Sequence, residues 1–231
     1  MDAYQRSCLD AMGITVWQRR GIASNDDERD AAPASLPAGP ALLTPDAALE
    51  ALRLEVAGCT QCPLHESRTQ TVFGAGAHSA RLMIIGEAPG ADEDRQGEPF
   101  VGRAGRLLNA MLGAVGLQRN FVYIANIVKC RPPKNRDPRS EETASCGVYL
   151  KGQIDLVKPT VILAVGRVAA QNLLGSTTAI GRLRGQIHRH PDSGTLVVVT
   201  YHPAYLLRSP AEKRKSWEDL KLARRLLSEA A

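Results

Sequence analysis

Four short apolar runs punctuate the chain: Arg81–Gly86, Phe121–Val128, Thr160–Gly166 and Thr195–Thr200. Each is continuous, not alternating, and rich in β-branched residues, the pattern of strands covered on both faces. Between and after them the period lengthens. Ala104–Val115, Ser140–Val157, Arg167–Leu174 and Ala211–Ser228 read as helices. Strand alternating with helix predicts an α/β fold, a parallel sheet with helices on both sides. Ligands of such sheets gather at the carboxyl ends of the strands. Three segments lie there: Glu87–Gly105, Asn126–Arg139 and Tyr201–Arg208.

Ahead of the sheet the pattern is weaker. Tyr4, Leu9, Met12 and Val16 fall roughly on one face, which predicts a short helical segment within residues 1–20. Residues 21–45 are rich in Asp, Ala, Pro and Gly and read as a mobile linker. The folded domain is expected over 46–231. It opens on a helix capped by Thr44, with Pro45 in the first turn, that runs to about Val56 and stops at Gly58.

The chain has 231 residues, 44% hydrophobic and 23% charged, a globular balance that excludes wholesale disorder. No run approaches the roughly 18 apolar residues of a membrane span. The N-terminus carries no long apolar run, so no secretory signal is expected and the setting is read as cytoplasmic. Thiols stay reduced there, which leaves cysteines available to a metal. The net charge is +5, unevenly spread: residues 1–50 carry 4 basic and 8 acidic side chains, so the remainder carries +9. That remainder suits a polyanionic partner, nucleic acid being the commonest, as well as it suits simple solubility.

Four of the five cysteines fall as C-x2-C-x67-C-x15-C: Cys59, Cys62, Cys130 and Cys146, with Cys8 apart. Two thiolates two residues apart clasp one metal centre from a single turn, and four suit tetrahedral zinc or a four-iron cluster alike. Spacing leaves those two open, beside the plainer reading of buried, inert thiols.

The segment after the first strand is glycine-rich and opens a helix, but matches neither the dinucleotide fingerprint nor the P-loop, so a nucleotide cofactor is disfavoured. Of its acids, Asp92 and Asp94 read as a solvated loop, whereas Glu87 adjoins the strand end. The second segment is basic, with Lys129, Arg131, Lys134, Arg136 and Arg139 against Asp137, and suggests phosphate contact. In the third, His202 follows the last strand and Pro203 fixes a turn. Leu206 and Leu207 then form an apolar tip suited to wedging between bases, or else begin the buried face of the next helix.

Gly86-Glu-Ala-Pro-Gly-Ala-Asp-Glu-Asp94 with Glu98-Pro-Phe-Val-Gly102, Ile124-Ala-Asn-Ile-Val-Lys-Cys-Arg-Pro-Pro133 and His202-Pro-Ala-Tyr-Leu-Leu207 resemble the family-four, iron–sulfur branch of the uracil-DNA glycosylases, over about residues 55–228. The resemblance implies a three-layer α/β/α fold with a central four-stranded parallel sheet. It implies a [4Fe-4S] cluster on Cys59, Cys62, Cys130 and Cys146, and hydrolysis of the bond joining uracil to deoxyribose. Uracil-containing DNA, single- or double-stranded, is then the partner, met by a monomer.

By resemblance, Glu87, Ala88 and Gly90 lie beside sugar and uracil, and Glu93 crowds the uracil 5-position. Phe100 stacks on the base, Asn126 reads it, and His202 belongs to the last motif. Lys129, Arg131, Lys134 and Arg208 are expected on phosphates, and Leu206 in the gap left by the flipped base. Some relatives place a water-activating Asp where Ala88 stands; Glu87 is the nearest substitute. No catalytic lysine lies in the three motifs, so an abasic product without strand cleavage is expected. A non-catalytic DNA-binding module with a structural cluster is the alternative. It would keep the cysteines and the basic loop without needing Asn126 and His202.

Overall fold

The computed structural model describes residues 44–229. The expected N-terminal helix and all but the last two residues of the expected linker lie outside them. Helix α1 (Pro45–Ala57) starts as its sequence requires: the Thr44 hydroxyl accepts from the Ala47 N–H at 3.2 Å, and Pro45 occupies a position that lacks an N–H partner anyway.

The sheet has six strands: β1 (Ala75–Gly76), β2 (Leu82–Gly86), β3 (Tyr123–Asn126), β4 (Val161–Val165), β5 (Ile187–Arg189) and β6 (Leu196–Thr200). Their order across it is β1-β3-β2-β4-β6-β5. The four inner strands are parallel, with Ile84 opposite both Ile124 and Leu163, and Leu163 opposite Val198. These are the four expected strands. The two edge strands pair antiparallel; they are only two and three residues long and mostly exposed, too short to show a period. The second expected strand is also shorter than its apolar run, because Phe121 sits in a turn and is 63% exposed.

Seven further helices fill the connections: α2 (Ala91–Gln96), α3 (Arg103–Ala114), α4 (Ser140–Val157), α5 (Arg167–Leu174), α6 (Ile180–Leu183), α7 (Pro203–Arg208) and α8 (Lys213–Glu229). Side-chain alternation along the strands divides the interior in two. Met83 and Ile85 pack with α1, α4 and α5; Leu82 and Ile84 pack with α3 and α8. That makes the three layers α/β/α and explains why the inner strands are apolar without interruption.

Chain direction reverses about β2, whose neighbours are β3 on one side and β4 on the other. A crevice opens outside the carboxyl ends of strands at such a switch point. Glu87 leaves β2 there, Asn126 ends β3, and His202 follows β6.

Candidate active site

A cavity of about 420 Å³ occupies that crevice, lined by Glu87, Ala88, Gly90, Glu93, Phe100, Asn126, Asn135, Asp137, His202, Tyr205 and Arg208 among others. It thus gathers the base-pocket residues expected from sequence, drawn from all three segments.

Asn126 is buried, and its Oδ1 has no hydrogen-bond partner among the described residues. An acceptor left so costs about 1–3 kcal/mol, which a bound N–H donor would return. Gly86 makes room for it: a Cβ there would stand 2.4 Å from Asn126 Oδ1 and 2.7 Å from Phe100 Cζ. Phe100 has a left-handed backbone, φ 54°, uncommon for a bulky residue and found where surrounding structure enforces it. The enforcement comes from both sides. Arg119 holds Glu98 at 2.8 Å and the Pro99 carbonyl at 2.5 Å, and α3 begins so close that a Cβ on Gly105 would lie 1.7 Å from the Phe100 carbonyl oxygen.

His202 faces Phe100 with ring centroids 5.6 Å apart. It caps α7: its Nδ1 accepts from the Ala204 N–H at 3.1 Å. Burial, and then the nearby Arg208 charge, pull the imidazole down to about 4, with Glu93 opposing. The ring is therefore neutral at pH 7, and with Nδ1 accepting, its proton sits on Nε2.

Burial, followed by the Asp137 carboxylate beside it, pushes the Glu87 carboxyl up to about 7, against a smaller pull from Arg167. Asp137 in turn pairs with Arg167. In the sequence, Asp137 reads only as counter-charge in a basic loop. Its partnership with Glu87 joins residues from different strand ends, so no local pattern marks it. Asn135 and Tyr205 are likewise cavity residues that no sequence signal singles out.

Glu93 lines the cavity, but its carboxylate is engaged with backbone. Oε1 accepts from Val101 and Gly102, each at 3.0 Å, and Oε2 from Gly90 at 3.1 Å. It straps the loop after β2 to the loop carrying Phe100.

Three sequence expectations need correction. Asp94 is no solvated loop residue: it is 2% exposed and accepts from the Thr69 N–H and hydroxyl at 2.9 and 2.7 Å. Asp92, by contrast, is partly exposed and pairs with Arg95. Lys129 is not placed to meet a phosphate. It is 1% exposed, and its Nζ donates to the Asn126 carbonyl and to Gln153 Oε1. Leu206 is fully buried, because α7 turns it inward, and Tyr205 and Leu207 are the exposed neighbours, each at 37%. Arg131, Lys134 and Arg208 are on the surface or partly so, with Arg131 Nε held by Asn135 Oδ1 at 2.8 Å.

Cys59, Cys62, Cys130 and Cys146 line one second cavity, with Arg68, Lys129 and Tyr149. Two donors address the sulfurs: Arg68 Nη1 reaches Cys130 Sγ at 3.1 Å and the Lys129 N–H reaches Cys146 Sγ at 3.3 Å. Burial raises both thiols, Cys146 to about 11, with Arg68 and Lys129 respectively opposing. Among the described residues no group of three or more His, Cys, Asp or Glu is set to hold a metal ion. The four thiols all line that one cavity.

The uracil DNA glycosylase superfamily model matches residues 73–221. The type-4 uracil-DNA glycosylase of Archaeoglobus fulgidus is 43% identical over 173 residues, 72% of this chain and 87% of that protein. That of Thermotoga maritima is 42% identical over 189 residues, 79% and 96% of the two chains. That of Sulfurisphaera tokodaii is 40% identical over 185 residues, 77% and 84%. The chain thus belongs to the uracil DNA glycosylase superfamily and, within it, to the type-4 uracil-DNA glycosylases.

Proposed function

We propose that this protein removes uracil from DNA, hydrolysing the N-glycosidic bond of a flipped-out nucleotide held in the 420 Å³ cavity. The activity is that of its family; the residue roles are our reading. The observation that carries them is the unpartnered Asn126 Oδ1 beside the Phe100 ring and the neutral His202. Uracil offers Oδ1 its N3–H and takes the amide N–H at O4. Cytosine presents the reverse pattern and would leave the buried amide unpaired.

Extruding the base costs a few kcal/mol. Stacking on Phe100 returns about 1–3 kcal/mol. As the bond between N1 and C1′ breaks, negative charge grows on uracil O2, and the Nε2–H of His202 stabilises it where it develops. A neutral imidazole suits this role, since it donates a hydrogen bond and keeps its proton. Water adds to C1′ and gives its proton to Glu87, whose raised pKa makes it a stronger base than an ordinary carboxylate. Glu93 acts on the pocket through backbone, fixing the walls against which the uracil 5-position lies. Arg131, Lys134 and Arg208 meet phosphates, and Tyr205 and Leu207, not Leu206, supply the wedge.

Four cysteines lining one cavity, with N–H donors to two of the sulfurs of the kind that tune thiolate-held clusters, support a [4Fe-4S] cluster there. Cys59, Cys62, Cys130 and Cys146 would hold it, and it would supply cross-linking of distant chain segments. The base-release chemistry is left to the residues of the other cavity. Purified protein incubated with a uracil-containing oligonucleotide tests the reading. Free uracil and an intact abasic strand are expected; no release from single- or double-stranded substrate would overturn it.

A further inference from the structure

Lys129 lines the cysteine cavity and its backbone N–H donates to Cys146 Sγ, but its side chain has no part in the chemistry assigned to either cavity. Lysine is almost never fully buried unless paired. Here the ammonium is enclosed, and its two contacts are specific: the Asn126 carbonyl at 2.8 Å and Gln153 Oε1 at 2.6 Å. Gln153 is itself fully buried and cannot swing away. Its Nε2 donates to the Phe73 carbonyl at 2.9 Å and to the Tyr123 hydroxyl at 3.1 Å. The Lys129 charge is thus anchored from α4, from β3 and from the chain ahead of β1.

The anchored group is the peptide that carries Asn126. That residue is the last of β3, paired with Gly86; in the peptide that follows, the Ile127 N–H donates to the Gly86 carbonyl at 2.9 Å, and the Asn126 carbonyl is the half that Lys129 takes. The Asn126 side-chain oxygen has no partner among the described residues to hold it. The aim of the amide therefore depends on its backbone, and the ammonium grips that backbone. The same residue ties the strand exit to the cysteine cavity, through its own N–H on Cys146 Sγ at 3.3 Å and its peptide bond to Cys130.

We propose that Lys129 is a positioning residue for base recognition, a buried cation that fixes the Asn126 peptide so that its amide meets the base. The inference rests on the reading of Asn126 as the base-reading residue. It also gives the cysteine-bearing loop a part in specificity, since Asn126, Lys129 and Cys130 lie on one short stretch of chain. Reading a base needs placement within a fraction of an ångström, and a small misplacement costs rate heavily.

The test is a double-mutant cycle between Lys129→Met and Asn126→Ala in the full-length protein, with single-turnover uracil release and DNA affinity at several salt concentrations as readouts. Circular dichroism and absorbance near 400 nm report whether fold and cluster survive. Lys129→Met is expected to slow release about 10- to 100-fold and to leave DNA affinity and its salt slope unchanged. It is expected to cause no further loss in the Asn126→Ala background. If Lys129→Met does not fold, Gln153→Met takes its place in the cycle, with a smaller loss that also vanishes in that background. Losses that multiply in the double variant overturn the proposal. So does a salt slope reduced by about 0.9, which would mark a phosphate contact. Failure of the reading itself looks different: Asn126→Ala alone would then leave uracil release intact, and the Lys129 proposal falls with it.

Discussion

In the proposed reading the chemistry turns on Asn126 and Glu87, and each makes a sharp prediction. Asn126→Asp replaces the amide donor with an acceptor. Uracil release is expected to fall about 10²–10⁴-fold, the cost of removing a polar group a site is built around. Weak release of cytosine is expected at low pH, where a protonated carboxyl donates to N3 and accepts from N4. Single-turnover rates on uracil and cytosine substrates check this. Glu87 titrates near 7 in the folded protein and near 4.5 otherwise. Ionising it therefore destabilises the fold: the penalty is absent below about pH 4.5, grows as pH rises, and is complete above about pH 7. Glu87→Gln should raise the melting temperature at pH 8 and leave it unchanged at pH 4. The same variant should remove the limb near pH 7 from the pH–rate profile. A profile that keeps that limb would free Glu87 of the role of base. All of these residue types were legible in the motifs, because a base-reading amide and a strand-end acid have few substitutes. Their protonation states were not legible, because these follow from Asp137, Ala204 and Arg208, which reach the site only through folding.

At the scale of elements, α7 decides between two neighbouring leucines. Three residues of helix separate His202 from Leu206, which turns the latter inward, where it is fully buried and lines one cavity with Leu107 and Leu220. Leu206→Ala should therefore cost about 2–5 kcal/mol of stability and slow single-stranded and duplex substrates alike. Leu207→Ala should leave stability nearly unchanged and slow duplex substrates more than single strands, where little unstacking is needed. Thermal melts and paired rate measurements separate the two. The pair is ambiguous in the sequence because a run this short has no resolvable period; the His202 cap sets the phase. The acidic loop after β2 shows the same limit. Its charges suggest solvent, yet α2 forms there and turns Asp94 inward to two donors on Thr69.

At the scale of the molecule, charge and cluster carry the expectations. Neutralising Arg131, Lys134 or Arg208 should weaken DNA binding across sequences. On duplex DNA the salt slope should fall by about 0.9 for each phosphate no longer neutralised. Equilibrium binding at graded salt reads this directly. Under the proposed ligation, replacing Cys59 or Cys130 should cost folding together with absorbance at about 400 nm, because ligands at these positions would tie the start of the domain to its centre. Metal analysis of anaerobically purified protein should find iron, not zinc.

By itself the sequence determined the layered architecture and the identity of the chemical groups. Short continuous apolar runs rich in β-branched residues, alternating with helical periods, suit a sheet covered on both sides, and Asn126, His202, Phe100 and four cysteines are types that few other roles require together. Tertiary structure decided direction and surroundings: that Lys129 turns inward to Asn126, that Leu206 packs while Leu207 faces out, that Asp137 meets Glu87. These are outcomes of which way a side chain leaves its backbone and what another segment brings beside it. A linear order of residues holds that information only through the fold it specifies.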